Sequence, residues 1–174
     1  LAKDISLSFP ASAAQLVPDS FHMTFLQACK ADFPKDDPEL AVNLERVDDL
    51  GRLLNGWVAN ETRAWLQCEK IVGIVGGDHS VPLGAITALA DKSPGLGILH
   101  IDAHADLRVA YEGFTFSHAS IMNNVMREVP AVSKLVQVGV RDYCEQEDDA
   151  IQDSAGRIKT FFESDVRREL FDGG

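Results

Sequence analysis

Thiols are scarce in this chain. Its 174 residues hold three cysteines, Cys29, Cys68 and Cys144, odd in number and far apart, with no Cys-x-x-Cys pair. That excludes a disulfide framework and points to reduced thiols, hence a cytoplasmic setting. Long apolar runs are also missing: none approaches the length that crosses a bilayer, and no secretory signal is visible. Basic residues are outnumbered, 16 Lys and Arg against 27 Asp and Glu, for a net charge of −11. This argues against nucleic acid or an anionic membrane as partner and mildly favours a cationic ligand. No internal repeat or low-complexity tract breaks the chain.

What is present reads as globular. Apolar residues make up 45% and charged residues 25%, and the length suits one domain with a sizeable core. The chain opens on Leu1 and stops at Gly173-Gly174; both ends read as cuts, which predicts the N-terminal and central part of a longer protein. Residues 1–38 are broken by Pro10, Pro18, Pro34 and Pro38, leaving room for a short helix over Phe21–Cys29. From Pro38 to Lys70, apolar residues including Leu40, Leu44, Val47, Leu54, Trp57, Val58 and Trp65 recur at helical steps, interrupted by Gly51 and Gly56. Trp57 and Trp65 read as helix-face core.

Strands and helices then alternate. Ile71–Val75, Leu96–Ile101, Leu135–Val140 and Ile158–Phe162 read as buried strands. Ser80–Ala90 and Ser117–Glu128 read as helices, the first with Asp78 or Ser80 as N-cap and Pro82 in its first turn, and residues 107–116 as a loop. Alternation of this kind predicts parallel crossovers and an α/β layered sheet. Such sheets bind ligands beyond the carboxyl ends of their strands, which is where Asp78-His79 and Asp102-His104-Asp106 fall.

The stretch HIDAHADLR, residues 100–108, carries the chemistry. Residues two apart in an extended segment point to one side, so Asp102, His104 and Asp106 can converge just past the strand end. Two carboxylates and an imidazole buried together call for a cation. His79, at the neighbouring strand end, can add a second imidazole. A donor set of imidazole and carboxylate without thiolate favours Mn²⁺, with Zn²⁺, Co²⁺, Ni²⁺ and Fe²⁺ left open, and several carboxylates can support a pair of ions. His100 reads as a buried histidine behind the ligands rather than one of them. Asp78 reads as a cap, Glu112 as a solvated loop carboxylate, Arg108 as a rim residue, and Arg141 and Asp142 as partners of each other.

Three segments, GGDHS (76–80), DAHADLR (102–108) and FSHAS (116–120), resemble the arginase/agmatinase, or ureohydrolase, family in order and spacing, and KIVGIVGGDHSVPLG and LVQVGVRD look like it too. The likeness covers roughly residues 40–145, and DLRVAYEGFTFSHAS looks more like the agmatinase branch. It implies one domain over 1–174 with a three-layer α/β/α fold around a mainly parallel sheet, and a centre of two Mn²⁺ ions. By position, His79 and Asp106 match ligands of one ion, His104 a ligand of the other, and Asp102 the bridging carboxylate. The family's metal-bound hydroxide attacks the guanidinium carbon, and His118 matches the active-site histidine that shuttles protons or helps the leaving amine. The expected reaction is agmatine plus water to putrescine plus urea, a polyamine-forming step on a small cationic substrate, in a homo-oligomeric parent. Arginase, guanidinobutyrase, guanidinopropionase and formimidoylglutamase activities stay open, as does a non-catalytic scaffold. The family also places an Asp-x-Asp pair on a later strand. This chain has none, so the 174-residue piece alone is expected to be inactive.

Overall fold

The structure is a computed structural model that describes residues 38–172; the helix expected over Phe21–Cys29 lies outside them. Two compact units are distinguished, Leu1–Leu50 and Gly51–Gly174. The described part of the first belongs to helix α1, Pro38–Gln67, where Val47 is buried.

Helix α1 begins on a proline, whose missing N–H is no loss in a first turn, and runs unbroken through Gly51 and Gly56. Gly51 has a packing reason: a Cβ there would sit 2.8 Å from the Phe116 Cβ. Val58, Ala59 and Thr62 form the buried face, with Trp57 and Trp65 half-buried beside it. The helix stops in a left-handed residue, Glu69 (φ 56°). There the Lys70 N–H reaches the Trp65 carbonyl and the Glu69 N–H the Leu66 carbonyl, a Schellman closure that holds orphan carbonyls of the last turn.

The strand expected over Ile71–Val75 does not form. The run pairs with no described strand, and Ile71 and Val75 are fully exposed. β-branched residues favour strands only when a pleated neighbour receives them, and none stands beside this run. Helix α2, Pro82–Lys92, follows. Its N-cap is Val81, with no side-chain cap, in place of the expected Asp78 or Ser80. Asp78 Oδ1 instead accepts from the Ser80 N–H at 2.7 Å and the Ser80 hydroxyl at 2.5 Å, an Asx turn ahead of the helix.

Strands β1 (Leu96–Ile101), β2 (Val132–Val140) and β3 (Ile158–Phe162) form a parallel sheet in the order β1-β2-β3. A 3-10 turn, His118–Ser120, leads into α3, Ile121–Glu128, between β1 and β2. Helices α4, Glu145–Asp153, and α5, Glu163–Asp172, follow β2 and β3. The core joins Leu83 and Ala90 of α2, Ile121, Met122 and Val125 of α3, and Val132, Leu135 and Ile158 of the sheet. This is the expected parallel α/β arrangement. One row of paired residues crosses all three strands: His100 opposite Gln137, and Gln137 opposite Thr160, each buried. The odd-numbered face of β1 is open, with Leu99 and Ile101 exposed.

Candidate metal centre

The carboxyl end of β1 places the first carboxylate. The ladder continues one residue past the strand, with the Asp102 N–H on the Val138 carbonyl at 3.2 Å. Across from it, Gly139 (φ 93°) is the extra residue between Val138 and Val140, a bulge that glycine enters without a Cβ penalty. The loops after β1 and β2 remain in register: His104 bridges to Asp142, and the N–H groups of Arg141 and Asp142 both reach the Ala103 carbonyl.

Asp106 joins the site through a turn rather than through strand alternation. Its backbone is left-handed (φ 54°), and its carbonyl accepts from the N–H groups of Met122 and Asn123 in the first turn of α3. Helix N-terminal donors that would otherwise be orphaned thus anchor the residue. Next to it, the Leu107 N–H is held at 2.9 Å by Glu147, a buried carboxylate of α4 whose other oxygen takes the Cys144 N–H at 2.9 Å. One acid therefore ties the loop after β1 to the loop after β2.

His79, His100, Asp102 and Asp106 form a group in which each offers a ligand-type atom and all these atoms lie within 4.8 Å of one another. His79 Nδ1 is 2.6 Å from Asp106 Oδ2 and 3.6 Å from Asp102 Oδ2. The Asp106 hydrogen bond raises the His79 imidazole above its ordinary range, against burial, with the charges of Asp106, Asp102 and Asp78 adding to it. For Asp102, burial pushes upward, but the His104 N–H on Oδ1 and the His100 and His79 rings outweigh it and hold the carboxyl low. Burial lowers the His100 imidazole, with Asp106 opposing.

His104 stands outside this tight group. It is exposed and lies against the other oxygen of Asp102, with Nδ1 3.3 Å from Oδ1, while its Nε2 is 3.8 Å from Asp142. Arg141 and Asp142 do not pair with each other; Arg141 reaches Glu163 at 4.0 Å. His118 opens the 3-10 turn, exposed, with its ring edge-on to Tyr111 at 5.4 Å, and the Arg108 guanidinium lies 5.4 Å from the centre of that same Tyr111 ring. The loop thus lines up Arg108, Tyr111 and His118, and Glu112 at its tip is exposed. Gln137 is the polar residue that sequence reasoning passed over. Its signal was an amide in the middle of the apolar run Leu135–Val140.

The donor set fits a divalent cation. The carboxylates of Asp102 and Asp106 and the imidazole of His79 stand close enough to surround one, with His100 beside them, and carboxylate and imidazole are hard or borderline ligands. Without a cation, the buried Asp106 relies on His79 for compensation.

Known proteins resemble the chain in fold and sequence. Arginase 1, mitochondrial, of Oryza sativa subsp. indica is 42% identical over 69 residues, 39% of this chain and 20% of that protein. Agmatinase of Bacillus subtilis is 26% identical over 161 residues, 91% of this chain and 50% of that protein. The solved structure of arginase from Medicago truncatula superposes with a TM-score of 0.60 at 21% identity, covering 90% of this chain and 52% of that one. It shows the arginase-like α/β fold. The chain spans half or less of the length of these curated relatives. The sequence model of the Arginase family matches residues 25–171, and the chain belongs to that family.

Proposed function

We propose that this chain carries the first part of the active site of a ureohydrolase that cleaves a guanidino C–N bond and releases urea, with agmatine as substrate and two Mn²⁺ ions as cofactor. The observation that carries the reading is the way Asp102 faces. Its Oδ2 points toward His79, and Asp106 lies on that same side, bonded to His79; its Oδ1 points toward His104. A carboxylate with an imidazole at each oxygen would let Asp102 serve two cations, His79 and Asp106 helping to hold one and His104 the other.

When bound, the cations would act as Lewis acids that make water nucleophilic near neutral pH. The chain's own residues do the rest. Asp102 and Asp106 would supply negative charge to hold the cations, and His79 and His104 would add imidazole donors. His118 stands ready to carry a proton to the departing amine. The net charge of −11 favours approach of a cationic guanidino compound. The free thiols Cys68 and Cys144 agree with a cytoplasmic enzyme, and no helix among the described residues is long and apolar enough to cross a membrane.

The test is metal content and urea release measured together. Asp102→Asn and His104→Ala, made in the full-length protein, should each lower bound Mn²⁺ and urea production from agmatine. Normal metal content and activity in either variant would remove the two-ion reading. Release of urea from arginine but not agmatine would move the substrate to the arginase branch.

A further inference from the structure

His100 is 4% exposed, and among the described residues its Nε2 has no hydrogen-bond partner. That nitrogen aims at the carboxylates, 3.6 Å from Asp102 Oδ2 and 3.9 Å from Asp106 Oδ2, both beyond hydrogen-bond reach. By position alone it could pass for a fourth ligand of the cluster. The other side of the ring decides against this.

His100 Nδ1 is 3.0 Å from Gln137 Nε2, and Gln137 Nε2 is 2.7 Å from the Ala105 carbonyl oxygen. A main-chain carbonyl can only accept, so the amide group facing it must be the NH₂. A flipped amide would set two oxygens against each other at that distance. Gln137 Oε1 is satisfied at the same time by the Thr160 hydroxyl, 2.9 Å away. The two N–H groups of Gln137 are thus both assigned, one to Ala105 and one to His100. Because Gln137 donates, His100 Nδ1 must accept and carries no proton. A neutral imidazole with a bare Nδ1 bears its proton on Nε2. A protonated ring would press an N–H against the amide N–H and is excluded by the same contact.

We propose that His100 is a positioning residue and not a metal ligand. The row Thr160–Gln137–His100, set by strand register, locks the ring as its Nε2–H tautomer and presents that N–H to Asp102 and Asp106. A nitrogen that carries a proton has no lone pair for a cation. What it can do is turn the positive end of its N–H toward the carboxylates and orient them, leaving their lone pairs for other partners. The inference rests on the proposed role of Asp102 and Asp106 as ligands, but the tautomer does not.

Two-bond ¹H–¹⁵N correlation spectra of the ¹⁵N-labelled 174-residue chain read the tautomer directly, before any metal is added. His100 should show a protonated, pyrrole-type Nε2 and a bare, pyridine-type Nδ1. Gln137→Met keeps the volume and removes the donor, and should abolish that preference. A protonated Nδ1 in the unaltered chain, or an unchanged tautomer in Gln137→Met, would overturn the proposal. Titration with diamagnetic Zn²⁺ then separates the two roles. The Nε2 proton should persist while the His79 resonances shift; its loss on Zn²⁺ addition would make His100 a ligand and end the proposal. If Zn²⁺ shifts no histidine, the metal reading of the site fails, while the tautomer measured beforehand still decides this one. In the full-length protein, His100→Gln restores an N–H near the Nε2 position and should keep Mn²⁺ affinity within about 3-fold, whereas His100→Leu should lose about 10- to 100-fold. Equal losses in both would count against the donor role.

Discussion

His79 and His104 flank Asp102 on its two oxygens, while His118 sits apart, edge-on to Tyr111 at the start of a 3-10 turn. A side chain so placed can exchange protons with solvent and with a substrate amine without holding a cation. His118→Ala in the full-length protein should therefore keep its Mn²⁺ and lose about 10²-fold in turnover, the scale of a positioned acid or base. Atomic absorption and a urea assay on one preparation check this, and loss of metal with normal turnover after Mn²⁺ saturation would reassign His118 as a ligand. The Asp-x-His-x-Asp spacing was legible as a convergence of charge, but its cause was not. Asp106 arrives through a left-handed residue pinned by α3, and one-dimensional spacing carries no sign of that.

At the scale of elements, strands whose partners lie in the chain were readable. Leu96–Ile101 and Ile158–Phe162 form at the expected bounds, and β2 begins at Val132, three residues earlier than its apolar run suggests. Ile71–Val75 has the same composition and no partner among the described residues, which is why composition misled there. Helices α4 and α5 escaped notice because their residues are mostly charged. Helix α4 is held partly by Glu147, which caps Cys144 and reaches Leu107. Glu147→Ala would orphan both N–H groups and should cost about 1–3 kcal/mol for a buried donor left unmade. Urea denaturation should show the midpoint falling, and an unchanged midpoint would mean water replaces the carboxylate. The crossing of α1 and α2 is equally specific. A Cβ on Gly84 would lie 2.1 Å from the Asn55 carbonyl oxygen and 2.9 Å from the Ala59 nitrogen. These are backbone atoms that cannot swing aside, so Gly84→Ala should destabilise by at least about 2 kcal/mol through overpacking. A thermal midpoint equal to that of the unaltered chain would show that the helices can part without loss.

At the scale of the whole molecule, the proposed two-cation centre has few groups in this chain to draw on. The residues matched to ligands, Asp102, Asp106, His79 and His104, are two carboxylates and two imidazoles, and His100, by its tautomer, adds orientation but no lone pair. Two divalent cations bring four positive charges against two carboxylates, so charge neutralisation stops well short, and coordination stays open on the His104 side. The sheet points the same way. Among the described residues β1 is hydrogen-bonded to β2 alone, and Leu99 and Ile101 beside that free edge are exposed. An apolar strand with unpaired backbone groups invites pairing with another chain. The 174-residue chain should accordingly bind Mn²⁺ weakly, with fewer than two ions per chain, release no urea from agmatine, and associate as its concentration rises. Isothermal titration with Mn²⁺, a urea assay and light scattering on one sample measure all three. Two tightly bound ions with turnover would mean that residues already in this chain complete the centre, and the division of Asp102 between two cations would then have to be redrawn around them.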